Sequence, residues 1–417
     1  MVAPVTESAV SVPDVDTRDI REIAREFHIF DPRLAVDPRP TLDRMRNECP
    51  IAHSEMFGGY WVLTRYAHIK QVLADPETFS STVPIIPRLA ADDFLGSIPV
   101  TLDPPDHTGY RRILAPMFSP GRIAALTDDV RVLAGDLADH MSGLTGPLDF
   151  RRLFAIPLPA ATLLKTLGLP DADLDLLLRY KDAMLADQFS PDPQVRAEFL
   201  RQRVPEITEY FRGHIDLRRD RDSAPDDFFT NIVHASFKGE RPLTVEEIVD
   251  IVAQHVQAAL DTTTGQLCLH MAYFAQHQDR WRELVEHPGR IPGAVEELLR
   301  HNAIVTPGRL VMRDTEVGGV PMRRGDMVAL VLPAAAFDED AFPDAGAMDF
   351  ERKPNRHLTF GGGPHMCVGA NLARFQLRIA YEELTRALPS FRIAQGTTPV
   401  RTTGIVMGMQ SLVLERI

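Results

Sequence analysis

The chain is expected to be mainly α-helical with small β-sheets, one large domain built about a long central helix. Three observations lead to this. From Pro105 to about residue 300, apolar residues recur at three- and four-residue spacing, with Pro or Gly at the breaks. Thr244-Val245-Glu246-Glu247 is a capping box, in which Thr and Glu satisfy each other's backbone amides, and the apolar pattern then runs to about Phe274. After residue 305 the texture changes to short β-type runs with turns at Gly318-Gly319 and Arg324-Gly325-Asp326.

In chain order, residues 1–40 are rich in Pro, Asp and Arg and are expected to wrap the surface as a loosely packed N-terminal segment. Gly59 to Thr64 reads as a strand, being aromatic and β-branched. A helix from Thr244 to Phe274 would span roughly 45 Å, enough to cross the whole molecule, so it must be central. Gly308 to Val331 reads as a small sheet and residues 338–357 as irregular. A further helix is expected from near Cys367 to about Leu388, and a hairpin over Gly404 to Glu415. A length of 417 residues suggests two or three domains, but there is no Gly/Ser linker, low-complexity tract or repeat. Residues 41–417 are therefore read as one domain.

Lys and Arg number 45 against 58 Asp and Glu, a net charge of −13, which argues against nucleic acid as a partner. Cys49, Cys268 and Cys367 are odd in number and far apart, which suggests a reduced compartment and cannot make a Cys-rich zinc site. The N-terminus lacks a basic and apolar leader, and no apolar stretch reaches the 18 or so residues of a membrane span. A cytoplasmic protein, without membrane attachment and monomeric, is expected.

The most informative stretch is Phe360-Gly361-Gly362-Gly363-Pro364-His365-Met366-Cys367-Val368-Gly369, followed by Leu372-Ala373-Arg374. Three glycines and a proline precede a cysteine expected to open a helix, whose N-terminus favours a thiolate. The glycines remove bulk, so that a flat macrocycle can approach the backbone. The alternative is a buried cysteine in a Gly-rich turn. The full pattern, Phe-x-x-Gly-x-His-x-Cys-x-Gly, resembles the haem-ligand loop of the cytochrome P450 family.

That resemblance extends over nearly the whole chain and looks closest to the soluble bacterial branch of the camphor hydroxylase. It implies haem b (iron protoporphyrin IX) with Cys367 as axial ligand. A thiolate donates strongly to iron and favours O–O cleavage, so a monooxygenase acting on dioxygen and a small hydrophobic substrate is implied. His107 and Arg111, Arg309, and His365 match the family's propionate partners. Ala258-Ala259-Leu260-Asp261-Thr262 is similar to its oxygen-activating segment, with Asp261 as proton relay and Thr262 as hydrogen-bond partner of dioxygen. The alternative for Thr262 is a hydroxyl bonded to its own helix. Many relatives carry Gly where Ala259 stands, which implies a smaller local distortion. Glu297 and Arg300 match the family's Glu-x-x-Arg and Arg352 its third, structural member.

Ile85, Phe94, Val100, Ala258, Val305, Ile405 and Val406 correspond to substrate-lining positions. Gln254 and Gln257 precede Asp261 by seven and four residues on one helix face, and either could anchor a substrate oxygen or simply face a neighbouring helix. Substrates of terpenoid or norisoprenoid size fit this branch. With no electron-transfer module in the chain, an acidic [2Fe–2S] ferredoxin with its reductase is implied, docking near Arg111, Arg112, Arg356, Arg374 and Arg378. A peroxide-driven enzyme and a non-catalytic haem sensor or carrier are the other readings.

Overall fold

The computed structural model describes residues 16–88, 95–188, 190, 192–220 and 225–417. The long helix runs from Val245 to Gln276 without interruption, and its first turn is closed by the reciprocal Thr244–Glu247 capping box. Its two halves pack in different cores. Ile248, Val249, Ile251, Val252, Val256 and Leu260 join a cluster with the helices of residues 157–233. Leu267, Met271 and Phe274 join another with Trp281, Tyr381 and Phe391. The two cores meet at Leu372.

Between those halves, Ala258 is exposed although Val256 and Leu260, two residues away on either side, are buried. The exposed alanine marks a gap in the packing against an otherwise buried helix. Further along, the end of the chain packs on the same helix. Gly265 packs on Gly408, whose Cα lies 3.5 Å from where a Cβ would stand. Val305 pairs with Val406 in an isolated antiparallel bridge, fixed by Thr306 N–H to Ile405 O at 3.0 Å and Met407 N–H to Ile304 O at 2.8 Å.

A five-stranded sheet holds the other flank. Its order is Ile51–Ser54, Tyr60–Leu63, Met327–Leu330, Gly308–Val311, Phe79–Ser80, with only the Tyr60–Leu63 to Met327–Leu330 pair parallel. No helix among the described residues is long and apolar enough to cross a membrane.

Three expectations change. Residues 16–40 do not lie loosely: Ile20–Glu26 and Pro32–Val36 are helices, and Ile23, Phe27, Ile29 and Leu34 enter a buried cluster with Val62 and Met327. Gly404 to Glu415 is not a hairpin, because Gly408–Ser411 pairs with Val400–Thr402 while Val413–Arg416 pairs with Phe391–Ile393 and Leu148–Asp149. The helix after the cysteine loop starts at Ala370, with Gly369 as its cap, so Cys367 precedes the helix and does not open it.

Candidate functional site

The cysteine loop is built by backbone bonds. Gly361 N–H donates to Leu358 O at 2.7 Å, Met366 N–H to Gly363 O at 3.2 Å, and Cys367 N–H to Phe360 O at 2.8 Å. Gly363 has φ +63°, and a Cβ there would stand 2.0 Å from Leu73 O, so only glycine lets the loop lie against the helix Tyr66–Ala74. Cys367 keeps accessible surface, yet burial raises its thiol above the ordinary range, partly offset by the Gly369 N–H and by the Arg111 and Arg374 charges. Both hold together when the sulfur faces an enclosed space. With the helix starting three residues later, its N-terminus does not outweigh burial, and the loop alone favours a thiol. A metal ion displaces that proton on binding.

Four basic side chains, His107, Arg111, Arg309 and His365, gather beside this loop. The His107 and His365 rings are 4.0 Å apart. Among the described residues, neither nitrogen of His107 has a hydrogen-bond partner, nor has Nε2 of His365. Arg309 is buried, and its one side-chain hydrogen bond runs to the carbonyl of Gly308 at 2.7 Å. Burial lowers His107 to about 4 and His365 to about 3, with Arg111 and Arg309 adding to it. It lowers Arg309 to about 10 against the opposing pull of Asp103. Buried cations and orphaned ring nitrogens demand an anion that the described protein groups do not supply. Two carboxylates on a planar ligand whose centre reaches Cys367 meet that demand, so the residues present fit haem.

On the facing helix, the Thr262 hydroxyl donates to Ala258 O at 2.8 Å, bonding back to its own helix. Asp261 lies 3.6 Å from the ammonium of Lys181, itself nearly buried. Nothing in the local sequence pairs Lys181 with Asp261 eighty residues on; only the packing of the helix Leu174–Ala183 on the long helix brings them together. Gln257 Oε1 is buried without a partner, whereas the backbone of Gln254 lies under Gly96. Ile85 is buried against Gly308, and Val100, Val305, Ile405 and Val406 are half-buried. Phe94 lies outside the described residues.

Glu297, Arg300 and Arg352 form a closed ionic knot. The Glu297–Arg300 pair is 2.7 Å apart with both side chains fully buried, and Arg352 Nε donates to Glu297 Oε1 at 3.0 Å. Asn355 adds a bond to Oε2 at 3.1 Å, and Asp349 N–H one to Oε1 at 3.2 Å. The five arginines read as a docking face divide. Arg374 is held by Glu296 at 2.6 Å and Arg378 lies 3.7 Å from Glu382. Arg111 is lowered by burial near Cys367. Arg112 and Arg356 are exposed.

A family model for cytochrome P450 matches residues 291–411. The chain is 34% identical to a probable cytochrome P450 127A1 of Sinorhizobium fredii, over 85% of this chain and 83% of that one. It is 32% identical to the mycinamicin IV hydroxylase/epoxidase of Micromonospora griseorubida, over 82% and 85% of the two chains. Among solved structures, that of CYP101J2 superimposes with a TM-score of 0.83 at 28% identity, covering 97% of this chain and 99% of that one.

Proposed function

Since this chain belongs to the cytochrome P450 family and is a haem-thiolate monooxygenase, we propose that it hydroxylates a small apolar substrate of terpenoid or norisoprenoid size. Its electrons come from an acidic [2Fe–2S] ferredoxin and its reductase, in the cytoplasm, with residues 41–417 acting as one haem domain in a monomer. The observation that carries this reading is the convergence of orphaned His107 and His365 and buried Arg309 beside the loop of Cys367, whose thiol feels the Arg111 charge. Haem bound through a thiolate supplies the reductive activation of dioxygen.

The protein's own groups do the rest. Cys367 would ligate the iron, while His107, Arg111, Arg309 and His365 would hold the two propionates. Glu297, Arg300 and Arg352 brace the segment that precedes the ligand loop. Ala258 leaves room for dioxygen and substrate against the helix. Thr262 must rotate away from Ala258 O to donate its proton inward, and Asp261, 3.6 Å from a Lys181 that pairs more closely with Asp182, lies one residue before it to resupply that proton. Exposed Arg112 and Arg356 offer an acidic ferredoxin a positive face despite the net charge of −13. Ile85, Val100, Val305, Ile405 and Val406 form an apolar lining.

The test is reconstitution with ferredoxin, reductase and reduced nicotinamide, followed by oxygen uptake and product. Thr262→Ala is expected to bind substrate as before but to lose about tenfold in product per oxygen consumed, one hydrogen bond's worth, with peroxide released instead. Unchanged coupling in Thr262→Ala removes the proton-delivery role. Product formed equally well from peroxide alone would assign the peroxide-driven class, and absence of substrate-stimulated oxygen use the sensor class.

Gln257 is the polar contact for a substrate oxygen in this reading, because its buried Oε1 has no hydrogen-bond partner among the described residues. Gln257→Leu is expected to weaken an oxygenated terpenoid by about two- to tenfold and to spare its hydrocarbon analogue. Titration by the spin-state spectral shift measures both, and equal effects on the two ligands would leave shape alone to orient the substrate.

A further inference from the structure

One carboxylate outside the ligand machinery collects four hydrogen bonds from a distant loop. Asp250, on the long helix, accepts from the N–H of Gly96 at 2.9 Å, of Ser97 at 2.9 Å and of Ile98 at 2.6 Å, and from the Ser97 hydroxyl at 3.0 Å. Gln188 holds the same loop from the other side. Its amide donates to Leu95 O at 3.3 Å and accepts from Leu95 N–H at 3.5 Å.

Gly96 has φ +82°, and a Cβ there would stand 3.1 Å from Gln254 N and 3.2 Å from its Cα. The loop backbone therefore lies directly on the helix backbone, with no side chain between them. Tyr180 covers the site from the helix Leu174–Ala183, buried and with its hydroxyl unpartnered. Burial, then the charge of Asp250, push that hydroxyl far above its usual range.

Within the loop, Thr101 N–H and its hydroxyl reach Ser97 O at 2.8 and 3.2 Å, and Leu102 N–H reaches Pro99 O at 3.2 Å. Among the described residues, Asp250 and Gln188 are what tie residues 95–98 to the helices around them. Asp250, Gln254, Gln257 and Asp261 follow one another at four, three and four residues, so the anchor stands on the same helix stripe as the site. Downstream, the loop carries Val100, and the backbone of Leu102 hydrogen-bonds His365. One strap therefore runs from the long helix to the basic cluster.

We propose that Asp250 is the positioning residue of the substrate pocket: its carboxylate latches the Gly96–Ile98 strap onto the long helix, setting the width of the pocket and the rate at which bulky ligands enter it. This rests on the P450 reading only for the identity of the pocket.

The experiment uses the haem-loaded chain and two probes, imidazole and 4-phenylimidazole, whose arrival is followed by the Soret shift. Amide hydrogen exchange over residues 95–98 is measured alongside. Asp250→Asn turns an amide N–H₂ toward backbone donors and is expected to speed that exchange by about tenfold or more. It should also accelerate entry of 4-phenylimidazole severalfold while leaving imidazole within about twofold, with the reduced carbon monoxide spectrum unchanged. Ser97→Ala, which loses only the hydroxyl bond, should move both readouts the same way by a smaller factor.

Unchanged exchange at residues 95–98 in Asp250→Asn overturns the latch, as does an equal change for both probes. If Asp250→Asn fails to hold haem, Ser97→Ala and Gln188→Leu decide, and unaltered exchange in both overturns it equally. Failure of the monooxygenase reading would show in wild-type oxygen uptake and would leave the exchange result standing.

Discussion

Cys367→Ser is expected to leave a chain whose reduced carbon monoxide complex lacks the red-shifted Soret band and whose oxygen-dependent turnover is abolished. No other cysteine can replace the lost sulfur. Cys268 is buried on the long helix, where burial pushes its thiol up to about 12, and Cys49 is half-buried beside the Ile51 carbonyl. A serine hydroxyl at position 367 stays protonated where even the thiol is raised, so the strong anionic donor is gone. The basic cluster of His107, Arg111, Arg309 and His365 is untouched, so the variant should still take up haem, and haem content by absorbance separates loss of the ligand from loss of the fold. A surviving red-shifted band would move the iron ligand to another residue.

The parts of this molecule that could be read from its sequence are those whose partners are close in the chain. Thr244 and Glu247 are three residues apart, and their capping box announced the helix that begins at Val245. The cysteine loop is one continuous run, and Glu297 and Arg300 share one turn. What could not be read depends on packing across the fold. Lys181 meets Asp261, and Asp250 meets Gly96, only because other helices and a loop settle on the long helix. The alternation over Gly404 to Glu415 correctly signalled extended chain, but a period of two does not say which strand will pair with which. Gly408–Ser411 and Val413–Arg416 therefore go to separate sheets. Likewise, the Pro, Asp and Arg of residues 16–40 hid the buried Ile23, Phe27 and Leu34, because aspartates capping short helices resemble loop composition.

Glu297→Ala is expected to destabilise the protein by about 3–5 kcal/mol, because it strands buried cations rather than removing one contact. Glu297 is fully buried, as is Arg300, and the carboxylate also serves Arg352, Asn355 and the Asp349 amide. Arg300 keeps bonds to the carbonyls of Ala336 and Ala347, and Arg352 to those of Pro343, Asp344 and Ala347. Those carbonyls orient the two guanidinium groups but cannot neutralise them. The loss is a large share of the roughly 5–15 kcal/mol that holds a native domain together. It falls on the irregular segment from Pro343 to Asn355 that leads into the cysteine loop, so haem retention should fall together with the thermal midpoint. Glu297→Gln, which keeps an acceptor but not the charge, should lie between wild type and Glu297→Ala in both measurements. The double variant Glu297→Leu/Arg300→Met removes both charges of the pair but still strands Arg352, and should recover only part of the loss. A Glu297→Ala protein with a wild-type midpoint and full haem occupancy would mean that water reaches the knot and that these charges were never truly desolvated.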